Sequence, residues 1–357
     1  MSDYHRFVPP MGKARYSGLD HAQVIETLPA HRTQGWKARV AALQATPFKG
    51  VTTDGRASPG LFELREEGAP TSAILQAVAT LLGLLTREQA TAVLHPIDSI
   101  ARRMWVNEVP RFERFGIWLD EVSPAVREAA MGVLSASLSA AGYERSRNIM
   151  RLNGFLGELA GAPIALGEYC YQFHIFGEPS ASEPWGWQLF GHHLCLTCLV
   201  VGTQMTLTPT FMGAEPRYAD KGPHAGTRVF DDEERIGLDL VRSFSAPQSR
   251  KAIVYATTVA DGLPPGRHQG PDGMTLSGAF KDNAIIPYEG IAGADLDAGQ
   301  RRVLLDLTER YLSTLPPGPL RARMSDVERH IAQTHFCWAG GTDDVSAFYY
   351  RIQSPVV

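Results

Sequence analysis

The sequence has few cysteines: four in 357 residues. That number is too small for a disulfide-built scaffold, which needs many half-cystines in a short secreted chain. An excess of basic residues is also missing, because 34 Lys and Arg stand against 38 Asp and Glu. A chain with a net charge of −4 has no electrostatic footprint for nucleic-acid binding. These shortages exclude a disulfide-stapled module and argue against a nucleic-acid partner.

Long apolar segments are missing as well. Residues 1–18 contain no apolar stretch of the kind that a secretory signal needs. The longest apolar candidate, residues 73–85, includes Gln76, has the amphipathic spacing of a core helix and is too short to span a bilayer. We therefore expect a soluble protein of the reducing cytoplasm, with no membrane partner.

The first half of the chain has the spacing and capping signals of helices. Apolar residues recur at helical spacing over residues 72–85, and Thr86 with Gln89 has the arrangement of a capping box. Ser123 followed by a proline is typical of an N-cap and a first helical position. We predict a helical layer over residues 20–165, in which Gly142 ends one helix and a further helix follows.

The second half mixes helices with strands. Five segments have strand-like patterns: residues 168–176, 186–201, 204–212, 334–339 and 346–352. The sequence Val-Gly-Thr-Gln at 201–204 is typical of a tight turn between two of them. A helical N-terminal half packed against a largely antiparallel sheet is an α+β fold. We assign residues 166–357 to this mixed layer.

The densest group of chemically versatile residues lies in residues 176–194. This segment contains Trp185, Trp187, the adjacent pair His192 and His193, and Glu178, together with prolines and glycines. A structural strand does not need that mixture, whereas a loop that carries aromatic and imidazole groups to a binding site does. We predict a functional site here. The alternative interpretation is that the tryptophans cover the core and the histidines are hydrogen-bonded structural residues.

The hairpin around residues 201–204 predicts where the two imidazoles point. In a tight hairpin, residues whose numbers sum to about 405 face each other. His192 then lies on the apolar face with Leu194 and Phe211, and His193 lies on the opposite, small polar face, because successive strand side chains alternate. A strand alone would keep the two rings apart. A one-residue shift of register would exchange the two assignments.

Imidazole binds transition metals and titrates near neutral pH, so either histidine is a candidate ligand or general base. The usual accompanying motifs are missing: the sequence has no His-Glu-x-x-His, no His-x-His and no acidic residue at a standard spacing from the pair. Glu178, stiffened by the following proline, is a candidate carboxylate. Cys195 and Cys198 do not form a redox pair, because positions three apart on a strand point to opposite faces. A divalent transition metal held by His192 and His193 is therefore an open prediction.

Several short motifs follow one another along the chain. They are Phe-Gly-Glu-Pro-Ser at 176–180, Pro-Trp-Gly-Trp-Gln at 184–188, Gly-His-His-Leu at 191–194, Thr-Pro-Thr-Phe-Met-Gly-Ala-Glu-Pro at 208–216, Asp-Asn-Ala-Ile-Ile-Pro-Tyr-Glu-Gly at 282–290 and Phe-Tyr-Tyr-Arg-Ile-Gln-Ser-Pro at 348–355. In this combination the chain resembles a large bacterial and fungal family known as domain of unknown function thirty-five hundred. The resemblance covers nearly the whole chain and implies one family unit over residues 1–357. It implies no reaction.

The C-terminus departs from the family pattern. Members similar to this chain continue past the Phe-Tyr-Tyr-Arg strand into a His-x-His segment, whereas this sequence stops at Val357. If that segment completes a site with His192 or His193, we expect a second polypeptide to supply it, or the chain to be a truncated form. A terminal apolar strand also leaves an edge for a partner, so a homo-oligomer through residues 346–357 is a further interpretation.

Two functions of different classes remain open. The first is an enzyme of the hydrolase or lyase type acting on a small organic substrate, with His193 as ligand or general base supported by His192 and Glu178. The second is a small-molecule-binding protein that uses the same pocket without turnover. An aromatic wall and further polar contacts would hold the ligand in either case. The substrate-binding candidates are Trp185, Trp187, His174, Asn283 and Glu289.

Overall fold

The fold is described from a computed structural model over residues 14–113 and 115–357. Within these ranges the chain forms ten α-helices and ten β-strands. The helices are α1 (His21–Glu26), α2 (Ala30–Ala45), α3 (Thr71–Leu84), α4 (Arg87–Val93), α5 (Pro124–Ser137), α6 (Ala140–Ala160), α7 (Asp231–Arg242), α8 (Ala246–Ala252), α9 (Ala298–Leu312) and α10 (Pro317–Arg329). The strands are β1 (Leu94–His95), β2 (Ile117–Trp118), β3 (Tyr171–Phe176), β4 (Trp185–Gly191), β5 (Leu194–Val201), β6 (Gln204–Met212), β7 (Ile253–Tyr255), β8 (Ile291–Ala292), β9 (His335–Gly340) and β10 (Phe348–Gln353).

Six strands form the first sheet, in the order β1-β3-β4-β5-β6, with β2 also paired to β3. Only β1 runs parallel to its neighbour among these pairs, and the others are antiparallel. One face of this sheet packs on α3, α5 and α6 through buried residues such as Ile74, Leu134, Phe155 and Trp187. The helical first half is therefore built onto the sheet that carries the His-His segment, as the predicted α+β fold requires.

The second sheet has the order β10-β9-β7, with β8 paired to β9. Its core lies against α7 and α9 and contains Leu240, Leu304, Phe336 and Trp338. This sheet mixes parallel and antiparallel pairs, because β7 is parallel to β9 while β8 and β10 are antiparallel to it. Each sheet thus packs on a hydrophobic core of its own.

The predicted helix starts at Thr86 and Ser123 are confirmed. Thr86 caps α4 with a capping box to Gln89, and Ser123 accepts a hydrogen bond from Val126 N at the start of α5, with proline in the first turn. These caps satisfy backbone N–H groups that have no partner within the helix. Along the described parts of the chain, no helix has the length and apolar content needed to cross a bilayer.

The predicted helix end at Gly142 is wrong. Gly142 lies in the first turn of α6, where Ser139 accepts a hydrogen bond from its N–H. The glycine is needed for a close approach instead, since a Cβ atom there would lie 2.6 Å from Thr314 Cα. A single α6 therefore replaces the two helices that were expected.

The register of the β5–β6 hairpin is confirmed near its turn. Val201 pairs with Gln204, and Cys198 with Leu207. A bulge between Leu196 and Cys198 then moves the pairing by one residue, so that Phe211 faces Cys195. Phe211 consequently packs on the second face of the sheet and not beside Leu194, as the unshifted register predicted.

Candidate functional site

His192 and His193 are the two residues of the tight turn that joins β4 to β5, since Gly191 pairs with Leu194. The prediction of a single strand over residues 186–201 is therefore wrong, and so is the prediction that the imidazoles point to opposite faces. In the turn the two rings lie together, with centroids 3.8 Å apart and planes inclined by 33°. Chain reversal thus unites two side chains that a continuous strand would separate.

Hydrogen bonds from neighbouring elements hold this turn. The His193 N–H donates to Asn107 Oδ1 at 2.7 Å, and the His193 carbonyl accepts from Gly213 N at 2.8 Å. His193 has a left-handed backbone with φ of 64°, which disfavours a residue with a Cβ by roughly 1–2 kcal/mol. The surrounding hydrogen bonds offset that strain and fix the direction of the second imidazole.

The orientation of His192 follows from Asn153, a buried residue of α6. Asn153 Nδ2 donates to Gly167 O at 2.8 Å, so its Oδ1 faces His192 Nδ1 at 2.8 Å as an acceptor. The proton of His192 then lies on Nδ1, and Nε2 keeps a lone pair for a ligand. Burial, with His193 beside it, lowers the pKa of His192 well below its usual range. A neutral imidazole is the form that binds metals.

Glu215 supplies a carboxylate that the sequence did not reveal. Its Oε2 lies 3.4 Å from His193 Nε2, an atom that is buried and accepts or donates no aligned hydrogen bond. The contact with His193 lowers the pKa of Glu215, although burial acts in the opposite direction. The Glu215 side chain is 69% exposed, so it stands on the solvent side of the imidazole pair.

One ligand atom from each of His192, His193 and Glu215 lies within 4.8 Å of the other two. Ligand bonds of about 2.1 Å to a tetrahedral ion place two ligand atoms about 3.4 Å apart. The His193–Glu215 distance already has that value, and the exposed Glu215 is the member of the set that can change its rotamer. The arrangement can therefore hold a divalent ion.

A second group of potential ligands, His21, Asp120 and Cys170, is equally compact. Here Arg111 already occupies the carboxylate, with Nη2 2.5 Å from Asp120 Oδ2. Burial, with Asp120 beside it, raises the pKa of the Cys170 thiol to about 12. The positive charge of Arg111 repels a metal cation, and a thiol that keeps its proton is a poor metal ligand. We therefore interpret this group as a structural ion-pair cluster.

Comparison with known proteins agrees with the motifs. A family model described as "Protein of unknown function (DUF3500)" matches residues 67–357. The chain belongs to this family. No curated protein and no solved structure matches it significantly. The match spans the imidazole turn and Glu215, so the candidate site lies within the DUF3500 region.

Trp185 and Trp187 lie away from this site. Both are fully buried in the core between the first sheet and its helices. Their indole N–H groups donate to Ser180 O at 2.8 Å and to Ser137 Oγ at 2.9 Å. They occupy the start of β4, whereas the histidines follow its end. The predicted aromatic wall beside the histidines is therefore not formed by these residues, which hold the core.

Glu178 and His174 also lie apart from the imidazole turn. Glu178 is exposed in the β3–β4 connection, beyond the opposite end of both strands. His174 is fully buried within β3. Its Nδ1 lies 3.1 Å from His95 Nε2, and its ring stacks on Phe190 at 5.5 Å. The structure thus does not bring these two candidates to His192 and His193.

Asn283 and Glu289 serve other parts of the molecule. Asn283 Oδ1 accepts from Lys49 N at 2.7 Å, and Asn283 Nδ2 donates to Pro47 O at 2.8 Å, which ties down the loop before residue 51. Glu289 pairs with Arg351 and Arg267 beside the second sheet. Neither residue contacts the imidazole pair.

The sequence did contain one signal for Glu215, since this residue lies in the family motif at 208–216. Its spacing of more than twenty residues from His193 (about one complete hairpin of two strands) matches no short metal motif. Strands β5 and β6 return the chain to the turn, because Leu194 pairs with Met212. Only the hairpin therefore makes Glu215 a neighbour.

Proposed function

We propose that the protein is a metal-assisted enzyme of the hydrolase or lyase type that acts on a small organic molecule. His192, His193 and Glu215 would be its metal ligands. The observation that carries this proposal is the convergence of their ligand atoms within 4.8 Å, together with the buried Nε2 of His193, which faces Glu215 without an aligned hydrogen bond. Two imidazoles and one carboxylate are a donor set of catalytic zinc sites, in which a fourth position stays open.

Each residue has a defined task in this proposal. His192 and His193 would present neutral Nε2 atoms, and Asn153 would hold the proton of His192 on Nδ1. Glu215 would add the negative charge and, since it is exposed, would border the path of the substrate. A divalent ion bound there would act as a Lewis acid on a substrate or water oxygen.

The alternative is a small-molecule-binding protein without turnover. An enzyme requires a second titratable group near His193, whereas a binding protein of the predicted kind requires the tryptophans to line the cavity. Glu215 lies 3.4 Å from His193 Nε2, and Trp185 and Trp187 are buried in the core. Both observations favour the enzyme.

The setting of the protein is part of the proposal. We infer a reducing, cytoplasmic compartment, supported by four cysteines that are all free and buried.

A homo-oligomer through residues 346–357 also stays a proposal, supported by the position of β10 at the edge of the second sheet. Sedimentation of the purified chain, with a Tyr349→Arg variant, would test it.

The deciding experiment measures metal content and turnover together. Elemental analysis of purified protein should find about one equivalent of a transition metal in the wild type and none in His193→Ala. Incubation with an extract of small metabolites, followed by mass spectrometry, should show a compound consumed by the wild type and not by the variant. A compound retained without consumption would establish the binding protein instead. A wild type that takes up no zinc on titration would contradict the metal site.

A further inference from the structure

Two arginines share one carboxylate oxygen beside the second sheet. Arg351 of β10 donates through Nη2 to Glu289 Oε2 at 2.9 Å. Arg267, from the loop before Met274, approaches the same oxygen through Nη2 at 3.4 Å. The two guanidinium groups are therefore neighbours, because both contact Glu289 Oε2.

The charges of this cluster do not balance. The Arg267 side chain is 7% exposed and that of Arg351 is 13% exposed. Across residues 14–113 and 115–357, the ion pairs of these two arginines lead to Glu289 alone. Two guanidinium cations against one carboxylate leave an excess of one positive charge in a largely buried place. Buried charges without a counter-charge are expensive.

Two N–H donors of the cluster are also unused. Arg267 Nε and Arg351 Nη1 are buried and have no hydrogen-bond partner among the described residues. Neighbouring donors are engaged: Arg267 Nη1 donates to Met274 O at 2.7 Å, and Arg351 Nη2 also donates to Pro287 O at 3.1 Å. Unpaired donors of this kind are rare in native structures and call for an acceptor.

Aromatic neighbours meet only part of this demand: the Tyr349 hydroxyl shares a hydrogen bond with the Arg351 side chain, but an uncharged phenol leaves the excess positive charge in place. Arg267 Cζ lies 5.4 Å from the ring centroid of Tyr255 and 5.6 Å from that of Tyr349. Ring faces attract the cation, but the guanidinium N–H bonds point within the plane of the group and need an acceptor oxygen in that plane. Water could accept one such bond, yet it would leave the positive charge in place.

We propose that Arg267 and Arg351 form a binding site for a small oxyanion, a carboxylate or phosphate group. Each guanidinium offers a planar edge of donors that matches such oxygens, and the anion would balance the excess charge. Glu289, whose side chain is 27% exposed, borders the route from solvent. The site belongs to the second sheet, and it does not depend on the function proposed for the imidazole turn.

The test uses the full-length chain and isothermal titration. Inorganic phosphate and acetate are titrated separately at a fixed ionic strength set with chloride. Saturable one-to-one binding of either ion is expected, and the tighter ion identifies the source as phosphate or carboxylate. Arg351→Gln should weaken that binding by about ten-fold or more, because it removes a charge-assisted donor. Arg242→Gln is the matched control, since Arg242 pairs with exposed Asp344 on the surface.

A variant with the opposite effect guards against loss of binding through misfolding. Glu289→Gln removes the carboxylate that the two arginines share, so the anion should bind more tightly, by about ten-fold. A wild type without saturable binding of either ion would overturn the proposal. Binding that is equally strong in Arg351→Gln, or weaker in a folded Glu289→Gln, would overturn it too.

Discussion

Two pairs of histidines lie in the first sheet, and they differ in what surrounds them. His192 and His193 occupy a turn, with ring centroids 3.8 Å apart and an exposed carboxylate beside them. His95 and His174 lie at the β1–β3 pair, with centroids 5.2 Å apart and phenylalanine rings around them. The first pair has a carboxylate on its solvent side, whereas the second pair joins a fully buried ring, His174, to the partly buried ring of His95.

The difference shows that pairing alone does not make an imidazole site. Within the second pair the two rings are hydrogen-bonded to each other, with His95 Nε2 3.1 Å from His174 Nδ1. Among the described residues, no compact group of potential ligands includes His95 or His174. Burial lowers the pKa of both of them. His174 is therefore a core residue that its partner ring contacts, while only the turn pair belongs to a compact group of potential ligands.

The largest expected effect separates the two pairs by metal binding. His193→Ala should lower the affinity for Zn²⁺ by more than about 100-fold, because it removes a direct ligand. His174→Gln, the matched variant in the His95–His174 pair, should leave zinc binding unchanged. Titration with Zn²⁺ followed by elemental analysis of the dialysed protein measures both. A zinc equivalent that survives in His193→Ala would refute the assignment.

For the free energy of unfolding, a substitution at His174 should have a larger effect than a substitution at His192. His174→Ala removes a ring that stacks on Phe190 at 5.5 Å and leaves a cavity, which should cost about 2–4 kcal/mol of unfolding free energy. His192→Ala removes a side chain at a partly exposed turn and should cost less. Urea unfolding followed by circular dichroism measures the two values. Equal losses would show that the turn is as much a part of the core as β3.

Asn153 should matter to the turn pair through orientation. Asn153→Ala removes the acceptor at His192 Nδ1, which should weaken zinc binding by about 10- to 100-fold. ¹⁵N NMR of the imidazoles provides a readout that a general loss of stability would not give. The wild type should show His192 protonated on Nδ1 alone, and the variant should show a mixture of tautomers. An unchanged tautomer in the variant would remove Asn153 from the site.

Acid should destabilise the protein through both pairs. The pKa of His174 and that of His192 are lowered by burial, so the unfolded chain binds protons that the folded chain does not. The free energy of unfolding is therefore at its full value when the pH is above the histidine pKa of the unfolded chain, near 6.5. Below that pH it falls by up to about 1.4 kcal/mol per pH unit for each of the two histidines. Urea unfolding at pH 7 and pH 5.5 measures the slope. His174→Gln should reduce that slope, and a stability independent of pH would contradict the buried, neutral state.

The smallest effect concerns the backbone of the turn. His193→Gly should leave stability unchanged or raise it by up to about 1 kcal/mol, because glycine adopts the left-handed conformation freely. His193→Ala retains the backbone strain, so its free energy of unfolding should not rise. Thermal unfolding of metal-free protein compares them. A loss of more than about 1 kcal/mol in His193→Gly would mean that the ring contacts themselves hold the turn.

Much of the fold followed from local patterns. Ser123 and Thr86 cap their helices as predicted, because a side-chain oxygen near free backbone N–H groups acts over only a few residues. The hairpin register at Val201 and Gln204 was also predicted correctly, because a tight turn depends on residues that are adjacent in the sequence. The turn at His192 was not, since two-residue hairpin turns are signalled by Asn-Gly or Gly-x and not by two histidines.

The identity of the site residues was less accessible. Trp185 and Trp187 carry both an apolar surface and a polar N–H, so their residue type suits a ligand wall and a core equally. Their burial, with each N–H paired inside the protein, decides for the core. Glu215 had no short-range relation to His193 that a spacing rule could detect.

By itself, the sequence determined the α+β class, several helix starts, most strand positions and the family, because these depend on short-range patterns of polarity, capping and motif order. Tertiary structure alone decided which chemical groups meet. The hairpin return of β6 places Glu215 beside His193, and the fold of the second sheet places two arginines on one carboxylate. Contacts between residues far apart in sequence depend on the packing of whole elements, which local periodicity does not encode.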